Sequence, residues 1–267
     1  MRSTPFAVER RLIDGIPAIS VRPAAASSNR LVVWLPPLGE SAEAMVPHLQ
    51  RLAATGVTAL SIDPWQHGMR QAAPSGALRA AVLADFRRRM WPILGRTTID
   101  ALTVVDHWGP MLGTDPTSYD VGGMSMGGDI ALALAALDAR IGRVSVVAAG
   151  PDWGRPGMRS VDGSDKTIDQ GLEDAGAHWW RQQLEPATRA AAFARDVHVD
   201  LELGGADTHV PPDAALELRR RVVALDPSAA TRFSCHVHPA LDHLAVLADQ
   251  AVIERALSRL GGASPLQ

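Results

Sequence analysis

Hydrophobic and polar positions alternate with a period of two over residues 6–14 and again over residues 16–22, with Asp14-Gly15 between the runs. That period places alternate side chains on opposite faces of a strand, and Asp-Gly is a favoured two-residue hairpin turn. The two runs therefore predict an antiparallel pair at a sheet edge. Residues 31–35 and 57–62 are instead apolar almost throughout, the pattern of strands covered on both faces. Further strand-like runs occupy residues 118–124, 143–149, 197–203 and 232–238.

Helical periodicity fills the gaps. Ser41 is placed to cap a helix running to about residue 54, with Pro47 as a kink. Residues 76–108 read as a long helical region interrupted around Trp91-Pro92 and Gly95, and an alanine- and leucine-rich helix covers residues 130–137. A last helix follows His243, and residues 261–267 read as a frayed tail. Strands alternating with helices predict an α/β fold: a mostly parallel eight-stranded sheet flanked by helices, with right-handed crossovers. The whole chain, residues 1–267, reads as one domain without internal repeats.

Residues 151–190 depart from this rhythm. Residues 151–157 are loop-like, and residues 167–184 look helical and carry Trp179-Trp180. The stretch is expected to form a small helical cap within the domain. Trp153, Trp179 and Trp180 would then either shape a substrate pocket or pack the cap onto the core.

Candidate chemistry lies just before that stretch. Gly123-Met124-Ser125-Met126-Gly127 stands between a predicted strand and a helix. A serine at the apex of so sharp a turn is held in strained backbone geometry with its hydroxyl lifted clear of the sheet. Side chains at the flanking glycines would collide across the turn. A small residue in a tight turn is the alternative reading of Ser125. Asp207 follows a later strand, with Asp213 as a rival that looks like the first turn of the next helix. His243 follows the last strand; its rivals, His236 and His238, sit two apart on that strand and share a face, as core or edge histidines or a metal pair lacking an obvious third ligand. His209 reads as a loop residue, and His67 as either a turn residue or part of the mouth of a site.

The order Ser125, Asp207, His243 and the segments around these residues resemble the α/β-hydrolase superfamily over nearly the whole chain, in particular its serine-esterase, dienelactone-hydrolase-like and prolyl-oligopeptidase-like branches. Gly-Gly-Met-Ser-Met-Gly-Gly resembles the nucleophile elbow, Gly-Gly-Ala-Asp-Thr-His-Val-Pro the acid loop, and Leu-Asp-His the histidine loop. Residues 61–69 resemble the D-x-x-G-H-G loop, with Gln66 at the first glycine, and Trp65 there is a further candidate for substrate contact. The resemblance implies Ser125 as nucleophile, His243 as general base and Asp207 as its orienting acid. It also places a cap at residues 151–190. The N–H of Met126 would be one oxyanion donor. After residues 31–35 the family often has His-Gly; here Pro36-Pro37-Leu38 follows, and Leu38 supplies the first N–H, because proline has none.

Composition narrows the partners. The net charge of −3 argues against nucleic acid, and apolar stretches are too short to span a bilayer. No apolar leader is evident at the start, and the single cysteine, Cys235, excludes an internal disulfide and suits a reducing cytoplasm. Neither a dinucleotide fingerprint nor a P-loop is present, and no cofactor or metal is expected. The reading that results is a carboxylic-ester hydrolase acting on a small or medium-sized molecule. Amidase, thioesterase, lactonase and acyltransferase activities would use the same residues, and a non-catalytic ligand-binding protein is a different class on the same fold. The acyl range and any homo-oligomer are left open.

Overall fold

The structure is a computed structural model that describes residues 5–24, 28–164 and 166–262. Strand β1 (Phe6–Ile13) pairs antiparallel with β2 (Ile16–Pro23), and Asp14 and Gly15 join them with φ of 49° and 80°. Both central residues of a type I′ turn need positive φ, which explains the Asp-Gly pair. Strand β3 (Leu31–Leu35) precedes helix α1 (Val46–Ala53) and strand β4 (Thr58–Ile62). Helices α2 (Ser75–Ala84) and α3 (Phe86–Trp108) lead to strand β5 (Tyr119–Met124), helix α4 (Met126–Leu137) and strand β6 (Ile141–Val147). After a long connection come α5 (Ala175–Leu184), the short α6 (Ala190–Phe193) and β7 (His198–Gly204). Helix α7 (Asp213–Leu225), strand β8 (Phe233–His238), α8 (His243–Ala248) and α9 (Gln250–Gly261) complete the order.

The eight strands form one sheet in the order β1-β2-β4-β3-β5-β6-β7-β8. The β1–β2 and β2–β4 pairs are antiparallel, and the other pairs are parallel. Strand β3 shows why its run is apolar throughout. Leu31, Val33 and Leu35 join the core under α3 and α4, whereas Val32 and Trp34 face the core under α1 and α9. The order reverses between β3 and β5, so the carboxyl ends of these strands open a crevice at a topological switch point, where ligands bind in open α/β sheets.

Four local expectations are corrected. Ser41 makes no side-chain cap; a short 3-10 turn, Glu43–Met45, comes first, and Pro47 lies in the first turn of α1, where its missing N–H costs nothing and bends nothing. The helical region over residues 76–108 breaks at Asp85, with φ −151°, while Pro92 lies inside the continuous α3. Residues 167–174 are not helical; Ile168 N–H bonds to Met158 O, and the helix starts at Ala175 behind an Asp174 cap. The helix after Ser125 begins at Met126, four residues before Ile130. Of the tail, residues 263–267 lie outside the described residues, as do residues 1–4 of the stretch read for a leader. Among the described residues no helix is long and apolar enough to cross a membrane.

Candidate active site

Ser125 sits between β5 and α4 with φ 49° and ψ −118°, a conformation that L residues rarely adopt. Its N–H donates to Val147 O at 2.8 Å, tying the turn to β6. The neighbouring glycines are steric necessities. A Cβ on Gly123 would lie 2.5 Å from the Gly127 carbonyl carbon, and one on Gly127 would lie 2.2 Å from Leu35 O. The start of α4 is thus pressed backbone-to-backbone against the end of β3.

Three sequence-predicted side chains meet here. Ser125 Oγ lies 3.0 Å from His243 Nε2, and His243 Nδ1 lies 2.7 Å from Asp207 Oδ2. All three residues are buried. A carboxylate only accepts, so Nδ1 carries the proton and Nε2 turns its lone pair towards the serine hydroxyl. The other oxygen of Asp207 accepts from the N–H groups of His209 at 2.8 Å and Val210 at 2.7 Å, which fixes the carboxylate plane. His243 opens α8, whose cap Asp242 accepts from Ala245 N–H at 2.9 Å. The rivals lie elsewhere. Asp213 is in the first turn of α7, His238 bonds Glu202 at 2.6 Å, and His236 faces Asp200 at 3.6 Å. Among the described residues no group of three or more potential ligands is arranged to hold a metal ion.

The two backbone donors predicted for an oxyanion lie on the abutting segments. Met126 N–H, in the first turn of α4, and Leu38 N–H, two residues beyond Pro36, have no acceptor among the described residues. Asp63 anchors this region by accepting from Ala42 N–H at 2.9 Å and Met69 N–H at 2.7 Å, which joins the loop after β3 to the loop after β4. In that second loop Gln66 adopts φ 67°, a conformation that glycine takes without strain. His67 is buried there, with Nδ1 2.8 Å from Trp65 O; burial lowers its pKa.

A cleft of about 240 Å³ opens beside His243, lined by His209, Thr208, Ser160, Val161, Asp242 and Leu244 among others. The connection after β6 closes one side of it, because Arg159 N–H donates to Thr208 O at 2.9 Å and His209 Nδ1 lies 2.8 Å from Arg159 O. None of the four candidate tryptophans is among the residues that line this cleft. Trp153 is fully buried, and its backbone bonds Glu185 and the Trp91 indole. Trp180 packs on Gly95 of α3, edge-to-face with the half-exposed Trp179. Trp65 lines a separate hollow with Arg88 and Arg89, between the guanidinium groups of Arg70 and Arg96.

Three residues near the site were not singled out from the sequence as functional. Asp129, one turn beyond Ser125, is fully buried and bonds Gly150 N–H and the buried guanidinium of Arg155. Burial pushes its carboxyl above the usual range, with Arg155 opposing. Arg155 itself has φ 39°, and the Gly-Arg-Pro context was the available signal of an unusual turn. His209 lies beside His243, with ring centroids 4.9 Å apart. Its signal was its position two residues after Asp207.

No protein-family model matches the sequence, and no curated protein matches it. Solved structures share its fold. TT1662 from Thermus thermophilus is similar with a TM-score of 0.70 at 21% identity, over 98% of this chain and 100% of that one. The esterase Pf2001 of Pyrococcus furiosus is similar with a TM-score of 0.65 at 17% identity, over 98% and 94%. A cold-adapted esterase from an Arctic intertidal metagenomic library gives 0.58 at 19%, over 97% of each chain.

Proposed function

We propose that this chain, whose fold is that of the α/β-hydrolases, is a serine hydrolase that cleaves a carboxylic ester of a small or medium-sized molecule. The observation that carries the reading is the unbroken relay from Ser125 Oγ through His243 to Asp207, at 3.0 and 2.7 Å. That two similar structures are described as esterases agrees with it.

In this reading His243 Nε2 takes the Ser125 proton as Oγ attacks the ester carbonyl. Asp207 holds the tautomer and stabilises the imidazolium. The N–H groups of Met126 and Leu38 receive the charge that develops on the carbonyl oxygen, and the positive end of α4 adds to them; each such donor contributes about 3 kcal/mol in enzymes where one has been removed. His243 then protonates the departing alcohol and the C–O bond breaks, leaving an acyl group on Ser125. Water, deprotonated by His243, releases the acid and restores the serine. Residues 151–190 act as a cap over the site, held to α3 by Trp180 and to the core by Trp153. The partner is a small ester. Amide, thioester or acyl-transfer chemistry would use the same groups.

The test is turnover of p-nitrophenyl esters of increasing acyl length by the wild type and by Ser125→Ala, with a fluorophosphonate probe to locate the nucleophile by peptide mass. Activity and labelling that both vanish in Ser125→Ala are expected. Equal activity in the two proteins would reject the assignment. Product analysis with a competing alcohol separates hydrolysis, which yields only free acid, from transfer.

A further inference from the structure

In the proposed reaction His243 delivers a proton to the departing alcohol, so the leaving group lies on the His243 side of Ser125. The cleft of about 240 Å³ has His243 in its wall. Its lining is mixed: Ser160, Thr208, Asp242 and His209 are polar, and Val161, Ala206 and Leu244 are apolar.

His209 is held in one orientation and one tautomer. Its backbone N–H donates to Asp207 at 2.8 Å, and its Nδ1 lies 2.8 Å from the Arg159 carbonyl oxygen. A carbonyl oxygen only accepts, so Nδ1 carries the proton and Nε2 presents a lone pair. Burial first, then the positive charge of Arg155 and the charge that His243 carries once protonated, lower its pKa to about 4, so the ring is neutral at neutral pH. Nε2 has no partner among the described residues. A fixed acceptor that cannot donate thus stands 4.9 Å, ring to ring, from the histidine that would hand a proton to the leaving group.

We infer that this cleft is a leaving-group subsite for a hydroxylated alcohol, a glycol or polyol monoester whose free hydroxyl donates to His209 Nε2. The inference rests on Ser125 being the nucleophile. With the two rings 4.9 Å apart, the ester oxygen at His243 and the hydroxyl at His209 are within reach of one short chain: at about 1.5 Å per bond, two or three carbons hold their oxygens roughly 3.7–5 Å apart. A cationic neighbour would oppose the imidazolium that forms on His243 during turnover; a neutral one with a lone pair does not.

The test compares kcat/KM for 2-hydroxyethyl butyrate and propyl butyrate, which have equally long leaving groups and differ in one terminal hydroxyl. The wild type is expected to favour the hydroxyethyl ester by about tenfold, the upper range for one neutral hydrogen bond. In His209→Asn the amide still reaches the Arg159 carbonyl but leaves no atom where Nε2 stood, and the ratio falls to about one. In His209→Gln the longer amide restores part of the preference. A wild-type ratio near one, or an undiminished ratio in His209→Asn, overturns the inference, and the wild-type ratio decides alone if the variants do not fold. Ser125-dependent turnover of p-nitrophenyl butyrate without turnover of either alkyl ester also overturns it, and leaves the proposed function standing. A wild type inactive on all three esters would defeat that function instead.

Discussion

Asp129 and Arg155 form an ion pair inside the protein, one helical turn past Ser125, with side-chain exposures of 0% and 4%. The pair fastens the connection after β6 to the helix that follows Ser125. Removing either partner strands a charge or a polar group away from water. Arg155→Met is expected to lower unfolding free energy by about 3–5 kcal/mol, whereas the double variant Asp129→Asn/Arg155→Met should lose far less than the sum of the single changes. Urea denaturation of the four proteins measures the coupling; additive losses would mean that the two groups do not depend on each other.

Gly95 gives Trp180 its place on α3. A Cβ there would stand 2.3 Å from the indole. Gly95→Ala gains up to about 1 kcal/mol of helix propensity and loses about 1–3 kcal/mol to overpacking, so net destabilisation is expected. Adding Trp180→Ala should relieve the clash. Denaturation midpoints check both, and a midpoint raised by Gly95→Ala alone would show that α5 moves aside freely.

His209 makes stability depend on acid. Its pKa falls from 6.5 to about 4 on folding, so the unfolded chain binds more protons between these values. Its contribution is therefore full above about pH 6.5, is lost as pH falls towards about 4, and amounts to up to about 3 kcal/mol. Melting temperatures recorded from pH 7 to pH 4 should drop more steeply for the wild type than for His209→Asn. Parallel curves would mean that other groups control the acid limb.

Asp207→Asn probes orientation without changing size. The amide can bind Nδ1 as a donor, which selects the wrong tautomer of His243. A fall in kcat of roughly 10³–10⁴ is expected, with KM little changed and the fold retained by circular dichroism. A loss below tenfold would remove Asp207 from the relay.

The strands and the Ser125, Asp207 and His243 positions were readable because their signals are local: a period of two, apolar runs, and glycines flanking one serine. Helix limits were not, because they are decided by partners distant in sequence. The chain breaks at Asp85 where Arg87 N–H, a free donor of the first turn of α3, finds Gln170 O at 3.1 Å. That contact also uses the stretch that reads as helix from residue 167. Pro92 and Gly95 looked like breakers, yet α3 continues through them and the missing Cβ of Gly95 serves Trp180. His209 looked like an ordinary loop residue because its neighbour His243 arrives only when β8 has paired with β7.

The contact of Gly127 with Leu35 O limits how such a protein can be altered. No side chain separates the end of β3 from the start of α4, so the approach of these two segments is set by main chain. Mutagenesis has no handle there that does not shift a strand or a helix. Directed variation for new substrates should therefore succeed around Ser160, Thr208 and His209, where side chains line open space, and fail around Leu35 and Gly127.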